Sequence, residues 1–472
     1  MAEKRKLEPL GWPLIRLALV VMVGGVTPLI DTTVVNVALH TIGSEFHVGT
    51  GAIQWVTTAY LLALALTVPV TTWASDRFGT KRLWLIGLLL FLLGSGLSAA
   101  SWSFAALVAF RALQGVGAGI MTPVVQTILV RAAGPAKVGR MITIVTLVST
   151  VAPIAGPLVG GAIVTSASWR WVFVINLPLC IVAAALAAVY LPDEPQQREK
   201  KLDLPGVLLL GTGTTALLYA LSNAASGGND PGLGVWTPLA TGVVLIGVFV
   251  VWSLRLGERA AIPVRLFTQR SFGTTTSVLF LTGFALYGAL FLIPLYFQQE
   301  RGMTALQAGA ILALQGVGTL LTRWVGAVVD KIGAKLITIV SVLLCAVATV
   351  PFAVATARTS YLLLGAALIV RGGALSAVNI AISTGAFAGL SRSDVPAGSA
   401  AVRLVQQLGG SAGTAILATI VAGFVLAAQP LLGFHAAFLW SIGLTVVTLI
   451  PCLLVPTRPR AGRQASAQAS AR

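Results

Sequence analysis

Charged residues, and acids above all, are scarce in this sequence. Only 10% of the 472 residues are charged, and 14 acids stand against 31 lysines and arginines. At the same time 57% of the residues are hydrophobic, and the mean hydropathy is +0.92. A soluble domain cannot hide so much apolar surface from water. The composition therefore predicts an all-α polytopic membrane protein, and the 50 glycines suit close helix packing in lipid.

Other absences narrow the class further. The three cysteines, Cys180, Cys345 and Cys452, lie in separate apolar runs, so neither a disulfide nor a metal site is indicated. No phosphate-binding glycine loop of the Walker type is present, which argues against ATP as the energy source. The basic amino terminus leads into a long apolar run without a short cleavable signal, which indicates a retained first helix.

Long apolar runs recur along the chain and predict fourteen transmembrane helices. The predicted spans are 14–39, 51–74, 83–100, 104–129, 141–165, 171–191, 204–223, 235–254, 272–297, 305–326, 335–356, 360–388, 402–427 and 435–455. Most lysines and arginines fall in alternate loops and at the termini, so both termini are expected in the cytoplasm. The positive charge is thus an orientation signal, and no nucleic-acid partner is expected.

The chain contains an internal repeat. The loop after span 2 reads DRFGTKR from Asp76, and the loop after span 10 reads DKIGAK from Asp330. Spans 4 and 12 each hold an arginine, Arg111 and Arg371. Pseudo-symmetric halves around a midplane cavity are typical of alternating-access transporters. We therefore expect two six-helix bundles with two extra helices, spans 7 and 8, between them. The expected parts are the first bundle (1–191), a linker with the extra helices (192–270), the second bundle (271–457) and a disordered cytoplasmic tail (458–472).

Two charged residues lie deep inside predicted spans. Asp31 is in the middle of span 1, and a carboxylate there costs several kcal/mol unless it is neutralised, paired or wet. It predicts a proton or cation site, the alternative being a pair with a neighbouring helix. Arg111 needs a polar cavity, backbone carbonyls or an acid for the same reason. For Arg371 the structural interpretation is favoured, because its surroundings are weaker and the second half has no equally deep acid.

Five stretches in order carry a resemblance to a known family. They are DTTVVNVAL from Asp31, QWVTTAY from Gln54, DRFGTKR from Asp76, RALQGVGA from Arg111 and GPLVGG from Gly156. With them the sequence resembles the major facilitator superfamily, specifically its fourteen-span drug:proton antiporter family, the multidrug efflux branch. The resemblance covers nearly the whole chain and implies the major facilitator fold.

The resemblance assigns roles to three groups of residues. It implies proton coupling by Asp31 and Arg111. It implies a gating motif at Asp76, Arg77, Gly79, Lys81 and Arg82, repeated at Asp330, Lys331 and Gly333. It implies an antiporter motif, found in exporters, at Gly156, Pro157, Gly160 and Gly161. A plain orientation signal and plain helix packing are the respective alternatives for the last two. Thr72 stands where the family pattern has glycine, which puts the strength of the gate in doubt.

Polar and aromatic side chains on several spans are candidates for a substrate cavity. In the first half they are Asn36, Gln54, Trp55, Tyr60 and Gln114; in the second they are Phe284, Tyr287, Gln315, Asn379, Gln406 and Gln407, with Tyr296 and Gln298 as further candidates. The stretch Trp169, Arg170, Trp171 and Asn176 is expected to anchor an interface at the outer surface, since tryptophan favours the headgroup level.

The expected function is proton-coupled antiport that exports amphipathic or cationic small molecules, such as drugs, antibiotics and dyes, by alternating access. The protein is not expected to be an enzyme and needs no cofactor, because the proton gradient supplies the energy. Its expected partners are the substrate, protons and the lipid bilayer, and it is expected to be a monomer in a bacterial inner (cytoplasmic) membrane. A dedicated exporter of one metabolite, antibiotic or lipid is the alternative, followed by a membrane sensor that does not transport.

Overall fold

Every regular element in the described part of the protein is a helix. The computed structural model describes residues 12–191, 202–224, 232–322, 325, 328, 332–356, 358–386 and 395–454. The helices are α1 (Trp12–Gly25), α2 (Thr27–Glu45), α3 (Thr50–Ile53), α4 (Trp55–Phe78), α5 (Thr80–Ala99), α6 (Phe104–Ser166), α7 (Trp171–Val174), α8 (Asn176–Tyr190), α9 (Leu204–Ala224), α10 (Thr237–Leu256), α11 (Arg265–Thr268), α12 (Arg270–Gln299), α13 (Ala305–Leu321), α14 (Ala334–Ala353), α15 (Tyr361–Ala386), α16 (Val395–Leu426), α17 (Pro430–Val447) and α18 (Leu449–Leu454). The predicted tail, 458–472, lies outside the described residues.

Twelve helices among the described residues are long and apolar enough to cross a membrane. Two shorter apolar helices, Ile154–Ser166 and Ala305–Leu321, lie where spans 5 and 10 were predicted. Helices α9 and α10 occupy the places of predicted spans 7 and 8. The multi-pass helical architecture agrees with the sequence analysis, while the total of fourteen and the domain boundaries stay predictions.

The first predicted span is divided into α1 and α2. The break falls at Val26, and Pro28 stands at the start of α2. Proline has no backbone N–H to donate and clashes with the preceding turn, so it is tolerated at a helix start but interrupts a helix interior. Asp31 follows in the first turns of α2, which places the deepest acid of the chain next to this interruption.

Helix α6 must fold back on itself. It runs for 63 residues, which would extend about 95 Å if it were straight. Yet Arg111, near its start, bonds Asp31 of α2, and a side chain at Gly156, near its end, would meet Thr33 two residues further along α2. The first arm (104–129) and the last arm (154–166) therefore lie side by side, with the reversal between them. These arms correspond to predicted spans 4 and 5.

The helices form two groups that meet along a seam. Helices α1 to α8 pack with one another, and α12 to α18 form a second group. At the seam α4 packs against α16, α2 against α12, and the last arm of α6 against α13. Helix α9 pairs with α10 and touches both α4 and α16, so this pair stands beside the seam. Thr419 of α16 donates to the Leu221 carbonyl of α9 over 3.2 Å.

One apolar core crosses the seam at the end of the molecule where α2 and α12 finish. We call it the seam core, and it combines residues such as Val37 of α2, Phe291 of α12, Leu312 of α13 and Phe434 of α17. Two smaller cores also cross the seam beside α9, one through Leu62 and Ala415 and one through Ala65 and Leu404. The cores around Trp84 and Val342 have their buried members within one group. Apolar packing between the groups is therefore most extensive in the seam core.

Candidate functional site

Asp31 is fully buried and accepts three hydrogen bonds. One carboxylate oxygen accepts from Arg111 Nη1 at 2.6 Å, and the other accepts from Gln114 Nε2 and Asn176 Nδ2, each at 2.9 Å. The exposed fractions of the Asp31 and Arg111 side chains are 0% and 1%. An ionised carboxylate only accepts hydrogen bonds, and all three neighbours donate. The sequence-predicted pair Asp31 and Arg111 is thus brought together, in a dry site held by three different helices.

Arg111 is fixed from several sides. Its Nε donates to the Val56 carbonyl of α4 at 3.0 Å, and Nη1 also donates to Gln114 Oε1 at 2.7 Å. Its guanidinium carbon lies 4.2 Å from the centre of the Tyr60 ring. A cation over an aromatic face is attracted to the ring, and more strongly when water is excluded. The alternative that carbonyls alone satisfy Arg111 is wrong, because the acid is its shortest contact.

Ser95 closes the network on the α5 side. Its Oγ accepts from Gln114 Nε2 at 3.2 Å and from Asn176 Nδ2 at 3.0 Å, and donates to the Phe173 carbonyl at 2.8 Å. A chain of satisfied polar groups in a low-dielectric site is rigid, since each group left unpaired would cost free energy. Adding a proton to Asp31 would remove the negative charge and leave Arg111 without its counter-ion. The site can therefore convert one proton into a rearrangement among α2, α4 and α6.

Sequence reasoning missed Ser95 and misplaced Asn176. Asn176 was expected at the outer interface with the neighbouring tryptophans, but it is 1% exposed and bonds Asp31. Trp169 of the same stretch is also buried, and its Nε1 donates to Glu45 at 2.6 Å. An amide inside an apolar helix needs a partner, and this cost was the signal that would have found Asn176. Ser95 gave no such signal, because a serine in a helix is often satisfied by its own backbone.

In the second half Arg371 occupies the corresponding place without an acid. It is 1% exposed and donates to Ala285 O at 2.6 Å, Gln315 Oε1 at 3.0 Å and Thr349 Oγ1 at 3.3 Å. All three acceptors are neutral. Gln315, predicted to line a cavity, serves instead to hold Arg371 between α13 and α15. This agrees with the structural interpretation of Arg371.

The other cavity candidates of the first half lie between helices. Asn36 donates to Thr32 O at 2.6 Å and accepts from Thr57 at 3.2 Å, which joins α2 to α4. Gln54 is 0% exposed and accepts from Thr58 at 2.6 Å. Trp55 packs on Tyr219 of α9, with ring centres 6.4 Å apart, so it faces the added helix pair. Of the five candidates, Gln114 and Tyr60 adjoin the ion pair.

Four candidates of the second half do come together. Gln407 donates to the Tyr287 hydroxyl at 3.2 Å, and Gln406 donates to Asn379 Oδ1 at 3.0 Å. These side chains keep partial exposure, and Tyr287 also packs against the apolar core of the first half that contains Tyr60. We call Tyr287, Asn379, Gln406 and Gln407 the Tyr287 cluster. It lies in the second half, and Tyr287 is the member that contacts the first half.

Three further candidates of that half prove to be packing residues. Phe284 is 2% exposed, and its backbone meets Gly413 where α12 packs on α16. Tyr296 lies in the seam core with its ring centre 5.7 Å from that of Phe434. Gln298 donates to the Val37 carbonyl of α2 at 3.1 Å and so bridges the two halves. Each is enclosed by neighbouring helices in this structure, and their assignment to a substrate cavity stays a prediction.

The antiporter motif lies between two helices, one from each half. A Cβ at Gly156 or Gly160 would overlap Thr33 or Val34 of α2, and one at Gly161 would lie 2.6 Å from the Ala305 carbonyl of α13. On the facing side, a Cβ at Gly309 would meet the Pro157 carbonyl. The motif therefore lets bare backbones approach, both within its half and across the seam. Leu306 N also donates to Thr165 Oγ1 across the seam at 3.1 Å.

The gating motif is only partly visible. The side chains of Thr72 and Asp76, and all of Asp330 and Lys331, lie outside the described residues. Gly79 separates α4 from α5 and has φ of 83° and ψ of 152°. Gly333 directly precedes α14 and has φ of 98° and ψ of 146°. Glycine alone adopts this region readily, so both loops make the same turn for the same reason. Arg77, Lys81 and Arg82 lie beside the first of these turns, at the ends of α4 and α5.

Comparison with known proteins identifies the class. Residues 21–414 match the model of the Major Facilitator Superfamily. The chain is 34% identical over 411 residues to the multidrug resistance protein B homolog of Mycobacterium tuberculosis, covering 86% of this chain and 76% of that protein. It is 30% identical to the putative multidrug resistance protein MdtD of Cronobacter sakazakii, covering 91% and 92%. The chain belongs to the Major Facilitator Superfamily of membrane transporters, and is not an enzyme.

Solved structures agree on the fold. A bacterial homologue of the human lysosomal transporter Spinster, in an inward-facing and unoccupied conformation, matches with a TM-score of 0.67 at 16% identity, covering 95% of this chain and 98% of that one. A D-xylose–proton symporter matches with a TM-score of 0.65 at 15% identity, covering 94% and 98%. At such identities the likeness concerns the fold alone.

Proposed function

We propose that the protein is a proton-coupled antiporter that exports amphipathic small molecules from the cytoplasm by alternating access. Membership of the transporter superfamily and the multidrug resistance names of its relatives support this proposal. Both termini are proposed to lie in the cytoplasm of a bacterial inner membrane, as the distribution of basic residues indicates. The seam core then closes the outer end, which supports the proposal that substrate enters from the cytoplasmic side.

The observation that carries the proposal is the buried ion pair of Asp31 and Arg111. A ligand shifts a conformational equilibrium only by its difference in affinity for the two states. A proton on Asp31 is such a ligand, because it breaks the 2.6 Å charge pair at the contact of α2 with the first arm of α6. The same helix α2 packs on the last arm of α6 and on α12 at the seam. Protonation of Asp31 can therefore change the packing of α2 at the seam, where the halves are proposed to move.

In the proposed cycle, deprotonated Asp31 holds Arg111 and favours the inward-facing state, in which substrate binds. Protonation from the outside weakens the pair and accompanies outward release. The Tyr287 cluster is the proposed substrate-contacting surface, since Tyr287 also touches the core around Tyr60, which in turn lies under Arg111. The proton site and the substrate surface are then separate but adjacent.

The test is proton release on substrate binding. Purified protein in weakly buffered detergent solution, with a pH-indicator dye, would receive three probes: pyrenebutylammonium, pyrenebutanol and pyrenebutyrate. We expect wild type to release protons with at least one probe and Asp31→Asn to release none. Glu45→Gln is the matched control, since it removes an acid from an exposed ion pair with Arg170. Equal release from wild type and Asp31→Asn would remove Asp31 from the coupling mechanism.

The same three probes distinguish a multidrug exporter from a dedicated exporter of one compound. A response to several probes of different charge favours a multidrug exporter, and a response to none of them with a response to one natural compound favours a dedicated one. Dye accumulation in cells with and without an uncoupler separates either exporter from a sensor that does not transport.

A further inference from the structure

Arg403 is an arginine near the start of an apolar span to which the coupling mechanism gives no role. The predicted span 402–427 places it in the first turn. Helix α16 begins earlier, at Val395, so Arg403 lies about 12 Å along the helix from its first residue. It is surrounded by protein yet keeps accessible surface, as expected for a side chain that lines an internal cavity.

This arginine has no counter-ion in the part of the chain that the structure describes. Arg111 has Asp31, and Arg371 has three neutral acceptors, but Arg403 makes no hydrogen bond or ion pair with any described residue. Arg403 lies within electrostatic range of Tyr287, and one helical turn along α16 Gln407 bonds the Tyr287 hydroxyl. A guanidinium enclosed in a membrane protein without an acceptor is costly, so a partner from outside the chain would stabilise it.

The neighbouring polar groups have hydrogen-bonding capacity left over. Arg403, Gln407 and Ser411 are spaced by four residues and so share one face of α16. Ser411 is 0% exposed, and neither its hydroxyl nor Gln407 Oε1 has a partner among the described residues. If the Gln407 amide is turned by 180°, Tyr287 donates to its oxygen, and its N–H₂ group becomes the group without a partner among the described residues. The face then offers mostly donors.

The described helices of the second half contain basic residues but no acid. From residue 270 to residue 454 the sequence contains only three acids, Glu300, Asp330 and Asp394. Of these the structure describes Glu300, which directly follows the end of α12. Arg371 and Arg403 both lie inside the helices of this half. The Asp31–Arg111 pair adds no net charge from the first half. A guest between the halves therefore meets a positive field and hydrogen-bond donors, which favour an anion.

We propose that Arg403, with Tyr287, Gln407 and Ser411, forms an anion-accepting subsite that binds the carboxylate, sulfonate or phosphate head of an acidic amphiphile. This rests on the proposed transport function and names its substrate class. Weakly acidic amphiphiles are then better substrates than the cations that the sequence analysis included. The head group pairs with the guanidinium, and the apolar body lies towards Tyr60 and the core of the first half.

Equilibrium binding tests the subsite without requiring coupling. Quenching of the pyrene probes would be titrated in detergent with wild type, Arg403→Gln, Arg403→Lys and Arg255→Gln. Arg255→Gln is the matched control, because it removes the same charge from an exposed position at the end of α10. We expect Arg403→Gln to weaken pyrenebutyrate binding by at least about tenfold and to leave pyrenebutanol unchanged, which also reports a folded protein. Arg403→Lys should keep most of the affinity.

The outcomes divide cleanly. Binding of pyrenebutyrate no tighter than that of pyrenebutylammonium, an unchanged affinity in Arg403→Gln, or an equal loss in Arg255→Gln would overturn the subsite. Repeating the titration in phosphatidylcholine nanodiscs with and without phosphatidylglycerol identifies the source of the anion. Displacement by phosphatidylglycerol assigns the subsite to a lipid headgroup, and no displacement assigns it to a free amphiphile. If the subsite fails while Asp31→Asn still abolishes proton release, the antiport proposal stands alone.

Discussion

The two halves of the molecule place an arginine at corresponding positions and surround it with opposite chemistry. Arg111 meets a carboxylate at 2.6 Å, whereas Arg371 meets a backbone carbonyl, an amide and a hydroxyl. Both are 1% exposed, so the difference does not come from depth or access to water. Of the two arginines, only Arg111 is therefore paired with a charge that a proton can remove. The repeated fold places a titratable ion pair at this position in one half and a permanently charged arginine in the other.

The largest expected effect tests whether the two halves move against each other at all. Gly156→Leu would push a side chain into Thr33 of α2, beside the contact with α13. We expect the variant to insert but to lose transport entirely, because the last arm of α6 could not keep its approach. Gly247→Leu on α10, where no atom lies within 4 Å of the added Cβ, is the control. Normal dye efflux from a well-expressed Gly156→Leu protein would contradict the idea.

Removing each arginine measures the electrostatic difference directly. Arg111→Met leaves a buried carboxylate alone and should lower the free energy of unfolding by about 3–5 kcal/mol. Arg371→Met leaves neutral acceptors alone and should cost about 1–3 kcal/mol. Denaturant titration of the purified proteins gives both values. Asp31→Asn combined with Arg111→Met should recover most of the larger loss, and no recovery would mean that the pair is not what Arg111 stabilises.

The turns at Gly79 and Gly333 should behave alike, in contrast to the arginines. Both glycines have positive φ with extended ψ, a region that side chains adopt only with strain. Alanine at either position should cost about 1–3 kcal/mol. Unfolding measurements on the two single variants would show whether the costs match. A large cost at one position and none at the other would break the symmetry of the loops.

The smallest expected effect concerns the outer edge of the second half. Burial raises the pKa of Glu300 above its ordinary value of 4.5, and attraction to nearby His435 offsets part of this. The folded state then binds the proton more tightly than the unfolded chain, so stability is greatest below 4.5 and falls as pH rises through the raised pKa. Melting temperatures across this range should fall slightly in wild type and less in Glu300→Gln. An unchanged slope would show that Glu300 is not responsible.

Sequence alone could predict the main pair because charges inside a membrane are rare and expensive. Asp31 and Arg111 each need a partner of opposite charge or a polar neighbour inside the membrane, and the predicted spans contain few such residues. The turn glycines were predictable from the repeated loops. The family resemblance correctly identified the superfamily and so the fold. In each case a single residue type, a charge within an apolar run or a glycine within a repeated loop, indicates the structural requirement.

The sequence could not predict which hydrogen-bond partners the uncharged polar side chains would find. Ser95, Asn176 and Gln298 are uncharged, and such side chains can be satisfied by their own helix, by another helix or by water. Their partners depend on how distant helices pack. The start of α16 was missed for another reason, since its small residues are not separated from a loop by hydropathy. The predicted span begins at residue 402, whereas the helix begins at Val395 and gives Arg403 two preceding turns.

The contact between the last arm of α6 and α13 has a consequence for the entropy of a transport cycle. At Gly161 and Gly309 the two halves meet through backbone, with no side chain on the glycine side. Ordering a long side chain costs up to about 2 kcal/mol, and a joint built of such chains would incur that cost each time it closed. A joint of bare backbone loses no rotamer freedom on closing. In the proposed alternating-access cycle, this contact therefore adds no side-chain entropy cost when the seam closes.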